Sequence, residues 1–473
     1  MSLVLRVHLL RTRPLWHDEA FTAWIARRSP SDLVATLRED SGPPLFYLLE
    51  RPFALAAATP ASDPLLRLLP LAASLALFAA AGSLPRGESR AWWIALCSGF
   101  TLVNIYAAEA RAYALLALAC LGVFLFGVVA RETPRNLVAL FAAAVSALWL
   151  HYLAIFAIAA GFLLAVAARR ARAALVLVVS GATFVPWLPV LARQPAAALS
   201  WVREAPLETV LGFLSALGGM GRVPAPFGPT PPRAAFIATA LVGAILVVVL
   251  GLASRGDPSV RAASLFVLVT LGLAFGASLG RPIAFAGRSE MAVLPVWMWG
   301  LAKAAPGRFA ARVGAGLAAG LGLAATFLVS AGPHPLSVND AAVMRVAKLS
   351  RRGDVLLAGP GFYLPALLVA ERGSMPARVA SIPPGDAAHP GWFVAAPFGP
   401  AEEAALEHAM SEVGPAARVF LLLPPAQDTP GIMRVLFSRG TVRELARQPD
   451  GVLLVWSPGA PDASDQTGSR RAS

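Results

Sequence analysis

A chain of 473 residues that is 57% hydrophobic and 14% charged is not an ordinary soluble enzyme, because such proteins carry about 25% charged residues. The formal net charge of +13 comes from 40 basic and 27 acidic residues, and 38 of the basic ones are Arg. These arginines sit in short loops between apolar runs, with no basic stripe interleaved with aromatics, so they read as topology signals rather than as a nucleic-acid face.

The first ten residues are apolar but interrupted by Arg6 and His8. Ten helical residues rise about 15 Å, half of a roughly 30 Å hydrocarbon core. The segment is also too short and wrongly flanked for a cleaved signal peptide. A full first span is therefore expected to need residues upstream of Met1, or to have lost half its length. Residues 16–58 are too polar to span. Phe21, Trp24 and Ile25 predict one apolar face of an interfacial helix closed by Arg27 and Arg28. Pro43-Pro44 predicts a second helix start, leading into residues 45–58 with Glu50-Arg51 inside.

Spanning helices are predicted near 64–84, 91–107, 112–130, 136–150, 152–168, 173–190, 233–253, 261–280, 289–303 and 313–331, about 11 with the first segment. Cys97 and Cys120 both fall inside these spans, which argues for core residues rather than a disulfide or a metal cluster. The predicted class is thus a polytopic α-helical membrane protein. Arg86/Arg90, Arg131/Arg135, Arg169/Arg170/Arg172, Arg255/Arg261 and Lys303/Arg308/Arg312 mark one side as cytoplasmic. The other side holds residues 11–63, the 108–112 turn, the His151 turn, 191–232, 281–289 and everything after about 333.

Beyond the last span the pattern changes. Helices are predicted at 340–349 and 401–413, and strands at 354–358, 392–396 and 418–423, giving a soluble α/β domain over 333–457. Gly359-Pro360-Gly361 lacks the spacing and the Lys of a phosphate loop. Residues 458–473 have a disordered composition. The tail is expected outside the membrane, serving acceptor choice or stability rather than bond making.

Four places on the outer side carry chemistry-bearing residues, each with a structural alternative. In Trp16-His17-Asp18-Glu19-Ala20, a carboxylate at a helix N-terminus can act as a general base, or Asp18 is an N-cap beside a solvated neighbour. In Glu109-Ala110-Arg111-Ala112-Tyr113, Arg111 meets a phosphate or carboxylate, or pairs locally with Glu109. His151-Tyr152 is a functional polar turn or a satisfied histidine between helices. Arg288 is a ligand-holding or a snorkelling arginine.

Together with Asp40, Pro43-Pro44-Leu45-Phe46-Tyr47 and Arg67-Leu68-Leu69-Pro70, these motifs resemble the GT-C membrane glycosyltransferases. The likeness is greatest to bacterial relatives of dolichyl-phosphate-mannose–protein mannosyltransferases and of the aminoarabinose transferase, and covers most of residues 11–305. The resemblance implies inverting transfer of a hexosyl or pentosyl group from a polyprenyl-phosphate donor to a hydroxyl of a glycan, lipid or protein acceptor. The reaction is expected at the periplasmic face of a bacterial inner membrane. It implies Asp18 as base with Glu19 completing the motif, and Arg111 and Arg288 at the donor phosphate. His17, Asp40, Tyr47, Glu109, Tyr113 and His151 are further site candidates. The resemblance fixes no cofactor and allows a divalent metal; the His that relatives often carry just before Pro-Pro is replaced here by Ser41-Gly42, so a metal or acceptor contact from that position does not carry over. The competing readings are a transporter or flippase, against which stand the lack of a repeat and of a charge buried mid-span, and a non-catalytic sugar-lipid binding protein.

Overall fold

The computed structural model describes residues 2–13, 15–194, 206–223, 232–280, 283–331, 337–359, 361–382, 399–411, 417–423, 429–448 and 451–458. The predicted strand 392–396 and the tail beyond Pro458 lie outside these residues. The chain divides into two compact units. One comprises Met1–Arg13, Ala26–Phe53 and Pro64–Pro333; the other comprises Pro14–Ile25, Ala54–Asp63 and His334–Ser473.

The first unit is helical. Among the described residues, Pro60–Ser83, Ala171–Arg193, Arg233–Ala253, Pro258–Gly280 and Phe309–Ala331 are long and apolar enough to cross a membrane. Leu241, Ile245 and Val248 on one face of Arg233–Ala253 are each about 60% exposed, an outward apolar stripe that suits lipid and not water. Three other predicted spans form shorter apolar helices, Tyr113–Val129, Pro134–Leu150 and Ala154–Ala167, and Pro206–Leu217 is a fourth helix of this kind. Helix length therefore does not yield a count of 11. Pro206–Leu217 lies in a segment read from sequence as an outer loop, yet it packs into the helical body, with Leu217 O accepting Trp297 Nε1–H at 2.9 Å.

The predicted span 91–107 is broken. Helix Glu88–Gly99 ends at Phe100, whose extended backbone precedes a short helix Thr101–Tyr106. A break inside the helical body leaves carbonyls that need donors. Arg6 donates through Nη2 to Cys97 O at 2.6 Å, and Asn104 Nδ2 donates to Ser98 O at 2.9 Å. The Arg6 fork is completed by Asn104 Oδ1 at 2.8 Å and Ser74 Oγ at 2.7 Å. Arg6, read as an interruption of the first span, is thus a fully buried cap, and the statement that no charge is buried mid-span is corrected. Thr101 N–H, freed by the break, donates to Gly219 O at 2.9 Å. Gly322 lets that chain approach, since a Cβ there would stand 2.3 Å from Gly219 O.

Basic loops of this unit contact one another: Arg312 pairs with Glu88 at 3.3 Å and Lys303 with Asp257 at 3.4 Å. Arg170 bonds Ala130 O, while Glu132 accepts Ala173 N–H. The loops that the charge pattern assigned to one side thus contact one another in two groups, 88, 257 and 303–312 in one and 130–132 and 170–173 in the other. Arg67 of the Arg-Leu-Leu-Pro motif is structural: it donates to Leu10 O and Arg13 O at the end of helix Ser2–Thr12.

The second unit holds a five-stranded sheet of β1 (Val355–Ala358), β2 (Arg378–Ser381), β3 (Val419–Leu423), β4 (Gly440–Gln448) and β5 (Gly451–Pro458), in the order β2-β1-β3-β5-β4. β2, β1 and β3 are parallel; β5 and β4 close the sheet antiparallel. β1 and β3 are buried throughout, as continuous apolar strands covered on both faces require. Asp354 fixes their starts by accepting Arg351 N–H, Arg418 N–H and Arg418 Nη2–H at 2.8–2.9 Å. The helices Ser337–Leu349 and Pro400–Ser411 stand where the sequence predicts them. Asp63 is joined to the C-terminal part by an ion pair with Arg372 of helix Tyr363–Glu371's end, at 2.6 Å, with the Arg372 side chain 1% exposed.

Candidate active site

In the helical unit, Tyr106, Tyr113, His151 and Arg288 come together. Tyr113 begins helix Tyr113–Phe124 just after the turn carrying Glu109 and Arg111. Its ring lies 4.7 Å from that of Tyr106 and 5.3 Å from the His151 imidazole. Arg288 stacks over the Tyr113 and Phe285 rings at 5.8 and 5.4 Å, and Nη1 reaches the Tyr113 hydroxyl at 3.4 Å.

The loop that presents Arg288 is locked locally. Gly287 has φ +94° and a Cβ there would stand 2.2 Å from Arg222 O, so only glycine fits. Its N–H is held by both oxygens of the buried Glu290 carboxylate at 2.9 and 3.0 Å, and its carbonyl accepts the Tyr106 hydroxyl. Ser289 Oγ accepts Phe285 N–H at 3.0 Å. Tyr106 and Glu290 escaped the sequence reading; the lone acid two residues after Arg288 was the available signal.

His151 follows helix Pro134–Leu150, and its Nδ1 accepts Leu153 N–H at 3.2 Å. Part of the ring is accessible, yet protein surrounds it densely. That desolvation, with the positive charges of Arg111 and Arg288, pushes its pKa down to about 3. The imidazole is therefore neutral at physiological pH, within the field of two cations. The charges here are Arg111 and Arg288 against the buried Glu109 and Glu290. Such a cluster offers planar cationic donors, with the Tyr113 hydroxyl beside them, to an oxyanion.

Asp40 and Tyr47 flank the Pro43-Pro44 turn. Asp40 is buried after helix Pro30–Arg38, close enough for its charge to be felt at the Tyr152 phenol. Tyr47, on helix Leu45–Ala56, sets its hydroxyl 3.6 Å from where a Cβ of Gly42 would stand. Tyr152, Trp187 and Gln194, none of them expected as site residues except through the His151-Tyr152 turn, form a chain of hydrogen bonds beside them.

His17, Asp18 and Glu19 belong to the other unit, on the first turn of helix His17–Ala26. Glu19 is fully buried; His17 and Asp18 are half-buried. The helix was expected to lie on a lipid surface with one face down. Instead Ala20, Phe21, Thr22, Ala23, Ile25 and Ala26 are all buried, so protein encloses it on most sides. Among the described residues no group of three or more His, Cys, Asp or Glu side chains converges to hold a metal ion.

No protein-family model matches the chain, and no curated protein matches it. Two crystal structures share its architecture. ArnT from Cupriavidus metallidurans in the apo state matches with a TM-score of 0.59 at 15% identity, over 96% of this chain and 96% of that one. ArnT bound to undecaprenyl phosphate matches with a TM-score of 0.56 at 14% identity, again over 96% of each chain. At these identities the likeness shows the fold alone: this chain has the fold of ArnT over nearly its whole length.

Proposed function

We propose that this protein is a membrane glycosyltransferase that moves a sugar from a polyprenyl-phosphate donor to an acceptor hydroxyl at the periplasmic face. The observation that carries the reading is Arg288 stacked on Tyr113, whose ring lies beside His151, with the charge of Arg111 also felt at that imidazole, a cluster that suits a lipid phosphate. The fold shared with ArnT, one structure of which holds undecaprenyl phosphate, supports it. In the reaction the acceptor oxygen attacks the anomeric carbon while the carbon–oxygen bond to phosphate breaks. The polyprenyl phosphate leaves with the bonding pair, and Arg111 and Arg288 stabilise the charge that grows on it. Asp18 takes the acceptor proton, and attack opposite the leaving phosphate inverts the anomeric centre. Glu19, buried next to it, orients the motif.

Arg6 does not favour a transport path: its donors are spent on the helix break. The test is transfer in proteoliposomes supplied with undecaprenyl-phosphate sugars, alongside mass spectrometry of envelope glycans and lipids from a deletion strain. A lost general base typically costs about 10²–10⁴ in rate. Asp18→Asn is expected to lose transfer by that factor while still inserting and binding donor lipid; wild-type turnover in this variant sinks the assignment of Asp18.

A further inference from the structure

We propose that Gln194 is a positioning residue, latching the turn of residues 37–42 with Asp40 onto the His151-Tyr152 turn. The existence of the latch rests on geometry alone; what it serves rests on the transferase reading above.

Gln194 follows helix Leu188–Arg193 and uses its whole side chain. Nε2 donates to Leu37 O at 2.7 Å and to Gly42 O at 3.4 Å. Oε1 accepts the Tyr152 hydroxyl at 2.9 Å, and that hydroxyl accepts Trp187 Nε1–H at 2.9 Å. One amide thus ties three separate stretches of chain. The backbone of the turn it holds is short of donors of its own. Glu39 N–H and Asp40 N–H bond back to Thr36 O and Leu37 O at 3.0 and 3.4 Å. Pro43 and Pro44, which follow, have no N–H to donate. Gly42 has no side chain.

The far end of the latch is the candidate site itself. Tyr152 directly follows His151, whose ring packs on Tyr113 beneath Arg288. The latch therefore couples the segment carrying Asp40 and Tyr47 to the segment carrying the cationic cluster. A misplacement of about 1 Å in such a segment can cost about 10² in rate. Gln194 touches neither reacting group in this reading. Its loss should lower kcat and leave donor-lipid affinity nearly intact.

The experiment is hydrogen exchange on the full chain in nanodiscs, read at peptides covering 37–42, with transfer kinetics and undecaprenyl phosphate binding measured on the same samples. Gln194→Met removes every bond of the latch. Gln194→Glu keeps only the acceptor for Tyr152. Tyr152→Phe removes the other arm and serves if the Gln194 variants fail to fold. Exchange at 37–42 is expected to rise about tenfold in Gln194→Met, as local opening becomes easier. It should rise similarly in Gln194→Glu and less in Tyr152→Phe. kcat is expected to fall about 10–100-fold in Gln194→Met, with lipid-phosphate affinity within about twofold of wild type. Unchanged exchange overturns the latch. Raised exchange with unchanged kcat overturns its positioning role. A wild-type protein without transfer activity sinks the transferase reading instead, while exchange still decides the latch.

Discussion

Arg288 owes its place to a small set of fixed atoms: a left-handed Gly287, a Glu290 carboxylate on that glycine's N–H, and a Tyr106 hydroxyl on its carbonyl. A guanidinium stacked on Tyr113 and Phe285 has its fork aimed before any ligand arrives. Lys keeps the charge but loses the fork and the stacking. A hydrogen bond to a charged group is worth about 1.5–3 kcal/mol, roughly a tenfold to hundredfold change in affinity. Arg288→Ala is expected to weaken undecaprenyl phosphate binding by that factor and Arg288→Lys by part of it. Unchanged affinity in both variants removes Arg288 from the site. His151 makes a separate prediction about pH. Its folded pKa, about 3, lies below the unfolded value of about 6.5. Between those values the unfolded imidazole binds a proton that the folded one refuses, so stability falls as pH falls through that window. Arg111, Arg288 and the Leu153 N–H face this ring, and all three oppose its protonation. Thermal unfolding of wild type should drop from pH 7 toward pH 4, and His151→Gln should flatten part of that slope; equal slopes would contradict the argument.

At the scale of elements, two buried arginines show that charge inside this molecule serves chain geometry. Arg6 caps the break at Phe100 and so sets the direction of Thr101–Tyr106, the helix that ends in the Tyr106 of the cluster. Arg372 pairs with Asp63, joining the first-loop piece Ala54–Asp63 to the C-terminal part of its unit. Breaking a buried pair by removing one partner costs about 3–5 kcal/mol, whereas replacing both with apolar groups is often near neutral. Arg372→Met is expected to lower the unfolding midpoint of the full chain markedly, and Arg372→Met with Asp63→Leu to recover most of the loss. A double variant no better than the single one would show that the pair is not what joins these pieces.

For the whole molecule, the prediction is topological. The basic loops that meet through Arg312–Glu88 and Lys303–Asp257 are the side the positive-inside rule assigns to the cytoplasm. Helix Phe309–Ala331 then carries the chain away from them before the α/β residues begin. A reporter that works only outside the cytoplasm, fused after Pro458, should be active, and a cytoplasm-only reporter silent. The opposite pattern overturns the periplasmic placement of the C-terminal domain and, with it, the face proposed for transfer.

Apolar length determined the membrane class and the position of the long helices, because those depend on composition summed over many residues. The helix starts after Pro43-Pro44 and the central strands of the α/β domain were legible for the same reason: local pattern and burial agree there. The tertiary structure alone decided the rest. Arg6 reads as a flaw in a helix until Cys97, Ser74 and Asn104 are seen around it. The Trp-His-Asp-Glu helix reads as a surface element until its neighbours bury it, since an amphipathic stretch of ten residues does not record whether lipid or protein will cover it. Gln194 carries no sequence signal at all, because its meaning lies in carbonyls more than 150 residues away. Sequence names the groups that can bind a phosphate; only the packing of distant turns brings Arg111, Arg288, Tyr113 and His151 to one place, because these contacts have no period along the chain.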